Sequence, residues 1–200
     1  MVLNAQVRGN EVEENLPQLI QQTAAGDERA YGLLVQQFSA PVYRFLYRML
    51  NQSEDAQDLT QDTFYELYRN RAKLRADVHI LPYLFTIAQR KAISLLRWRR
   101  VRQMVLPLKR ENEETIASSQ NNPRDCVHNA HLESRLNRAL ANLKPARRAV
   151  LILRFFEGME YQEIARIMNK PEGTVKSLAF RAERELREKL ATPPEEIWSV

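Results

Sequence analysis

The chain predicts an all-α fold: two helical domains joined by a flexible linker, the second containing a helix–turn–helix. Three observations carry that expectation. Apolar residues recur at i, i+3, i+4, i+7 spacing through most of the 200 residues, while alternating apolar and polar runs are few. Only five glycines punctuate the pattern, and a hydrophobic share of 44% suffices for packed cores. Near the C-terminal end, Tyr161 to Met168, the turn Asn169-Lys170-Pro171-Glu172-Gly173, and Thr174-Val175-Lys176-Ser177 follow one another as helix, turn and helix.

The elements read in order as follows. A first helix from about Glu13 aligns Leu16, Leu19, Ile20 and Thr23; Gly26 closes it with a left-handed cap and Asp27 opens the next as N-cap. That helix buries Leu33, Leu34 and Phe38. Pro41 suits the first turn of a third helix, with Val42, Phe45, Leu46, Met49 and Leu50 on one stripe. Ser53, followed by Glu54 and Asp55, opens a fourth. Its buried stripe is Ala56, Leu59, Thr63, Leu67 and Tyr68, and Asp58, Asp62, Tyr65 and Arg69 lie opposite.

Arg71 to Pro82 lacks periodicity and reads as a loop. A helix from Tyr83 buries Leu84, Ile87, Ala88, Ala92, Leu95 and Leu96, and turns Thr86, Arg90, Ser94 and Arg97 outward. Val101 to Leu108 reads as fraying chain, with a short strand as the alternative. From about Gln103 to Asn129, Pro107, a charged run and a Ser-Ser-Gln-Asn-Asn-Pro stretch mark the linker. A second helical unit begins near Leu132 with Leu136, Leu140 and Leu143. A Pro145-led helix follows and ends at Gly158. Pro193-Pro194 stops the final helix before a tail containing Trp198.

Charge is distributed unevenly. The formal net charge is +5 and the isoelectric point near 9.5. Residues 1–70 carry five basic against ten acidic side chains, residues 71–110 eleven against one, and residues 111–200 fourteen of each. One short segment thus supplies the basicity, which suits nucleic acid on one surface and a protein partner on another. Cys126 stands alone, so no intrachain disulfide is expected and a reducing, cytoplasmic setting follows. No basic-then-apolar leader and no apolar run of about 18 residues occur, so membrane insertion is not expected.

The chemistry points to binding rather than catalysis. In the last helix Val175, Leu178, Ala179, Ala182, Leu186 and Leu190 share one face, while Ser177, Arg181 and Arg184 share the other with Lys176 beside them. A second helix of this kind enters the DNA major groove, where Arg bonds guanine edges or phosphates; an amphipathic core helix with solvated arginines is the plainer alternative. Thr174 can cap it or donate to a phosphate, and Phe180 either meets a thymine methyl or completes the core. Arg90 to Arg102 holds six Lys/Arg in 13 residues. Each one meeting a phosphate would add roughly −0.7 to −0.9 to the log–log salt slope of binding. His79, Tyr83, Phe85 and Trp98 nearby suit stacking on unpaired bases, or belong to the core. Cys126, His128 and His131 fit no common zinc spacing, and no cofactor is expected. No Gly-rich phosphate loop or nucleophile–base set stands out, so enzyme activity is not expected.

Two segments together resemble one family, the extracytoplasmic-function group of bacterial sigma factors. Asp55 to Phe64 with Pro82 to Arg97 looks like that family's region 2, and Leu132 to Leu190 looks like its region 4. The resemblance implies residues 1–102 as the region 2 domain, 103–129 as linker, 130–191 as the region 4 domain and 192–200 as tail. It implies that Asp58, Gln61, Asp62 and Tyr65 grip core RNA polymerase. It implies that Arg75, His79, Tyr83, Arg90, Lys91, Ser94 and Arg97 open and read the single-stranded −10 element. Thr174, Lys176, Ser177, Arg181 and Arg184 would read the −35 duplex, and an anti-sigma factor would cover the polymerase-binding faces. The sequence departs from the family pattern at Tyr83, where Trp is common, and at Arg90, Ser94, Leu178 and Glu183. A helix–turn–helix regulator acting without polymerase is the rival reading; the acidic face and second basic helix weigh against it.

Overall fold

A computed structural model describes residues 15–105 and 134–190. Among the described residues the regular structure is helical, with no strand. The expected linker, the Cys126, His128 and His131 group, and the tail with Trp198 lie outside the described residues.

Helix α1 spans Leu16–Ala24 with Pro17 in its first turn, where the missing N–H costs nothing. Leu19, Ile20 and Thr23 are its buried side. Gly26 adopts φ +98°, the left-handed conformation that glycine enters without a Cβ penalty. Asp27 then caps α2, its carboxylate accepting from the backbone N–H groups of Arg29 and Ala30 at 2.8 and 3.1 Å.

Helix α2 runs unbroken over Glu28–Leu50, so the two helices expected on either side of Pro41 are one. Proline inside a helix removes one backbone bond and crowds the preceding turn, at about 3 kcal/mol. Against that, Ala30, Leu34, Phe38, Val42, Phe45, Leu46 and Met49 form one continuous buried stripe through the proline. Each large aliphatic or aromatic side chain buried contributes about 1.5–3 kcal/mol, so the stripe outweighs the break. Leu33, expected in that core, is 49% exposed. Asn51, at φ 55°, ends the helix.

Helix α3 covers Ser53–Arg69. Ser53 is its first helical residue rather than its cap, and its hydroxyl pairs with that of Tyr43 at 3.1 Å. Ala56, Thr63, Phe64 and Leu67 are buried, and Leu59 and Tyr68 half-buried. A short 3-10 turn, Arg71–Lys73, leads into the loop. Helix α4 occupies Ile80–Val105, beginning three residues earlier than Tyr83 because Pro82 fits a first turn. It continues through Val105, so 101–105 are helical, neither strand nor fraying chain. α2 packs on α1, α3 and α4, and Phe45 meets Phe85 with ring centroids 5.1 Å apart.

In the second unit, α5 (134–141) and Leu143 bury Leu136, Leu140 and Leu143. Helix α6, Pro145–Leu151, passes directly into a π turn over Ile152–Phe156, and Gly158 closes it at φ +67°. Helix α7, Tyr161–Met168, is opened by a reciprocal capping box between Glu160 and Glu163 and closed by Asn169 at φ 49°. Helix α8 spans Glu172–Leu190.

The two units touch, and Arg148 is the deepest polar link between them. It is 4% exposed, and its guanidinium donates to the carbonyls of Met49 at the end of α2, Ala141, and Leu143 at 3.3 Å. Burial pushes its pKa down to about 10, which leaves it charged at neutral pH. Arg48 lies 4.2 Å over the Phe156 ring, and Arg44 and Arg48 both act on Glu157.

Arg148→Met keeps the volume but strands carbonyls at two helix ends. It should lower unfolding free energy by about 1–3 kcal/mol in urea titration, and an unchanged midpoint would deny the link its weight. Burial pushes the Glu157 carboxyl above its usual range, against the pull of Arg44 and Arg48. A raised folded pKa means the native state binds the proton more tightly, so this stabilising effect is lost as pH rises through the interval above the unfolded value. Glu157→Gln should therefore gain stability relative to the parent as pH rises above the ordinary glutamate value of about 4.3. Parallel pH profiles for the two proteins would contradict this.

Candidate nucleic-acid interface

The helix–turn–helix forms because α7 and α8 each carry an apolar stripe that closes against the other. Val175, Ala179, Ala182, Leu186 and Leu190 are buried, and Leu178 is half-buried. Since α8 begins at Glu172, Gly173 and Thr174 lie inside its first turn and Thr174 is not the cap; its N–H bonds to the Pro171 carbonyl at 2.9 Å. The opposite face presents Thr174, Lys176, Ser177, Phe180, Arg181 and Arg184, all exposed.

The surroundings of those side chains differ. Lys176 pairs with Glu172 at 2.7 Å, which raises its pKa through that hydrogen bond. Ser177 donates to the Gly173 carbonyl at 2.9 Å, leaving its oxygen lone pairs outward. Arg184 lies 3.9 Å from Glu188, and Arg181 has no ion pair among the described residues. Phe180 is 67% exposed, so it is a surface group and not part of the core. Lys176, Ser177, Phe180, Arg181 and Arg184 line a concavity of about 750 Å³ together with Arg147. Arg147 comes from α6, held there by Glu185 at the far end of its guanidinium. Sequence patterning missed Arg147 because its place beside α8 depends on how α6 docks.

On the first unit, α3 and α4 meet along an ion-paired seam. Lys91 lies 3.5 Å from Asp62 and 3.4 Å from Glu66, and Arg90 also pairs with Glu66. Lower along the helices, Arg99 pairs with Asp55 at 2.6 Å and bonds Gln52. The acidic and basic faces expected to serve separate partners are therefore adjacent, and Glu66 is the shared acid. Tyr83 sits half-buried beside this seam. Burial raises its hydroxyl pKa, Glu66 adds to the shift and Arg90 opposes it, so it is a neutral donor near pH 7.

The structure brings Tyr83, Arg90 and Lys91 together, with Ser94 and Arg97 exposed further along α4. Arg75 and His79 are exposed on the loop leading into α4; Arg75 pairs with Asp77 at 3.2 Å, and the His79 carbonyl accepts from the Tyr83 N–H at 3.2 Å. Phe85 is fully buried against Phe45, so of the four aromatics it is a core residue, whereas Trp98 is exposed. Asp58, Gln61, Asp62 and Tyr65 all point outward from α3, Tyr65 at 62% exposure. Beside Gln61 and Tyr65 lies a mainly apolar groove of about 770 Å³ between α2 and α3, floored by Tyr31, Val35, Phe64 and Tyr68. No cluster of His, Cys, Asp or Glu suited to a metal ion occurs among the described residues. No helix of the described residues is long and apolar enough to cross a membrane.

Comparison with known proteins places both units. Residues 34–102 match the family model for Sigma-70 region 2, and residues 133–186 match that for Sigma-70, region 4. The chain is 30% identical over 186 residues to the RNA polymerase sigma-H factor of Pseudomonas aeruginosa, a match covering 90% of this chain and 96% of that protein. It is 33% identical over 172 residues to the ECF RNA polymerase sigma factor SigE of Mycolicibacterium smegmatis, covering 84% of this chain and 65%, just under two thirds, of that longer protein. The fold is similar to that of RpoE from Bartonella quintana, solved with the anti-sigma factor NepR, at a TM-score of 0.67 and 22% identity over 81% of this chain and 97% of that one. CnrH, solved with the cytosolic domain of CnrY, gives a TM-score of 0.66 and 24% identity over 88% and 97%. Two regions in the right order, and a relative matched along nearly its whole length, make this chain a member of the extracytoplasmic-function group of bacterial RNA polymerase sigma factors.

Proposed function

We propose that this sigma factor divides promoter recognition between its two units, as the resemblance of its residues to the family implies. Arg181, Arg184, Ser177, Lys176 and Thr174 on α8 read the −35 element as duplex. Arg75 and His79 on the loop, with Tyr83, Arg90, Lys91, Ser94 and Arg97 on α4, capture the −10 element as a single strand. Asp58, Gln61, Asp62 and Tyr65 on α3 hold core RNA polymerase, with the α2–α3 groove receiving apolar side chains of that partner. The observation that carries the reading is that α8 turns an unburied cationic concavity outward while α2 and α3 frame a second, mainly apolar groove.

The chain acts by binding and positioning; the polymerase supplies the chemistry. We place it in the cytoplasm, where polymerase and promoter are. CnrH was solved in complex with the cytosolic domain of CnrY, and RpoE in complex with the anti-sigma factor NepR. An anti-sigma factor acting on this chain would cover the α3 face and so compete with polymerase. Region boundaries of 1–102, 103–129, 130–191 and 192–200 complete the proposal.

The direct experiment mixes the protein with core polymerase and a promoter library. Start-site-specific transcripts support the proposal; binding to operator duplexes without polymerase association supports a plain regulator instead. Asp58→Arg with Asp62→Arg should weaken polymerase affinity roughly tenfold or more, with little loss in binding of the full chain to a −35 duplex. Unchanged polymerase affinity removes the α3 face from the proposal. Arg181→Ala should cost about 1–3 kcal/mol against a preferred −35 duplex and relax selectivity at a single position. A uniform loss across all duplexes would reassign it to a phosphate contact.

A further inference from the structure

The cationic concavity of α8 holds one group that its charge does not explain. Phe180 is 67% exposed among the basic side chains that line it. Two of those cations are matched within the unit, Arg147 by Glu185 and Lys176 by Glu172. Arg181 has no ion pair among the described residues, and Arg184 reaches Glu188 only at 3.9 Å. A ligand seated here meets two available guanidiniums beside an exposed aromatic ring.

The sequence beyond Leu190 carries the complement. Residues 191–200, outside the described residues, read Ala-Thr-Pro-Pro-Glu-Glu-Ile-Trp-Ser-Val: two acids, no base, and two large apolar side chains directly after the acids. The position following Leu190 lies seven residues past Arg184 and eleven past Phe180, spacings that return to one side of a helix. The chain thus leaves α8 on the side of the concavity. Pro193 and Pro194 cannot extend a helix, so the helical path ends before Glu195. Along the axis, Arg184 lies about 9 Å and Phe180 about 15 Å back from Leu190. Fully extended, the chain spans about 20 Å to Glu196 and about 26 Å to Trp198. Both reaches exceed the distance to be covered and leave slack for a reversal.

We propose that residues 191–200 fold back along α8 and screen its DNA-reading face within the same molecule, Glu195 and Glu196 against Arg184 and Arg181, and Trp198 against Phe180. Exposed ion pairs and single aromatic contacts are weak, so a phosphate backbone presenting many charges displaces them. The segment sets a threshold for duplex binding and does not forbid it. Only this competition with DNA rests on the promoter reading above; the docking stands on the chain itself.

The test uses the full chain with Trp98→Phe, which leaves Trp198 the single indole of the two in the sequence. Without DNA and at low salt, its fluorescence should be shielded from acrylamide. It should become accessible in Arg181→Glu with Arg184→Glu, and in Phe180→Ala; all three positions are exposed, so the core is left intact. A duplex carrying the −35 element of a promoter that the holoenzyme transcribes should release the indole too. Trp198→Ala, which changes no charge, and Glu195→Gln with Glu196→Gln should each raise affinity of the full chain for that duplex roughly three- to tenfold, the scale of such exposed contacts. A gain in the glutamate variant alone is the general effect of removing negative charge and overturns the docking. Equal accessibility of the indole in parent and variants overturns it as well. So does shielding that grows with protein concentration, which assigns the segment to a second copy. Shielding that the duplex leaves in place, with unchanged affinity in Trp198→Ala, overturns the screening. Failure of the parent to assemble with polymerase overturns the promoter reading, while quenching without DNA still decides whether the segment docks.

Discussion

The continuous apolar stripe of α2 is the constraint on which the first unit depends. From Ala30 to Met49 it meets α1, α3 and α4 at once, with Phe45 against Phe85 at its centre. Because one face of each neighbour must turn toward α2, the opposite faces of α3 and α4 are committed to solvent. Asp58, Gln61 and Tyr65 are outward for that reason, as are Arg90, Ser94 and Arg97. A break at Pro41 would release that commitment, and the helix tolerates the proline because the stripe runs through it.

Electrostatics then separates cations that serve the fold from those available to a ligand. Arg90, Lys91 and Arg99 sit beside acids on α3, and Arg147 beside Glu185. Ion pairs at this partial exposure contribute little stability, typically below about 1 kcal/mol. Their effect is geometric: they tie the facing side chains of α3 and α4 to one another along the seam. Arg181, Arg97 and Arg100 lack such partners among the described residues and retain their full attraction for phosphate. A count of basic residues along the sequence overstates what DNA can use.

Arg148 links the units differently. It is buried, charged, and bonded to carbonyls at the ends of α2 and of the helix preceding α6. Helix C-termini leave carbonyls unsatisfied and carry partial negative charge, so one guanidinium satisfies two such ends. The Arg48–Phe156 contact and the burial that raises the Glu157 pKa lie at the same junction. None of these has a sequence signature, since each depends on two segments about 100 residues apart.

By itself the sequence determined the helical class, the Asp27 and Gly26 caps, the helix–turn–helix and the outward faces of α3 and α8. Those features follow from local periodicity and local backbone chemistry, which neighbouring residues encode completely. Tertiary structure alone decided that α2 is one helix, that Phe180 and Trp98 are exposed while Phe85 is core, and that Glu66 is shared by two cations. Each of these outcomes depends on which element covers a residue from across the fold, and burial by a distant neighbour leaves no periodic trace in the chain.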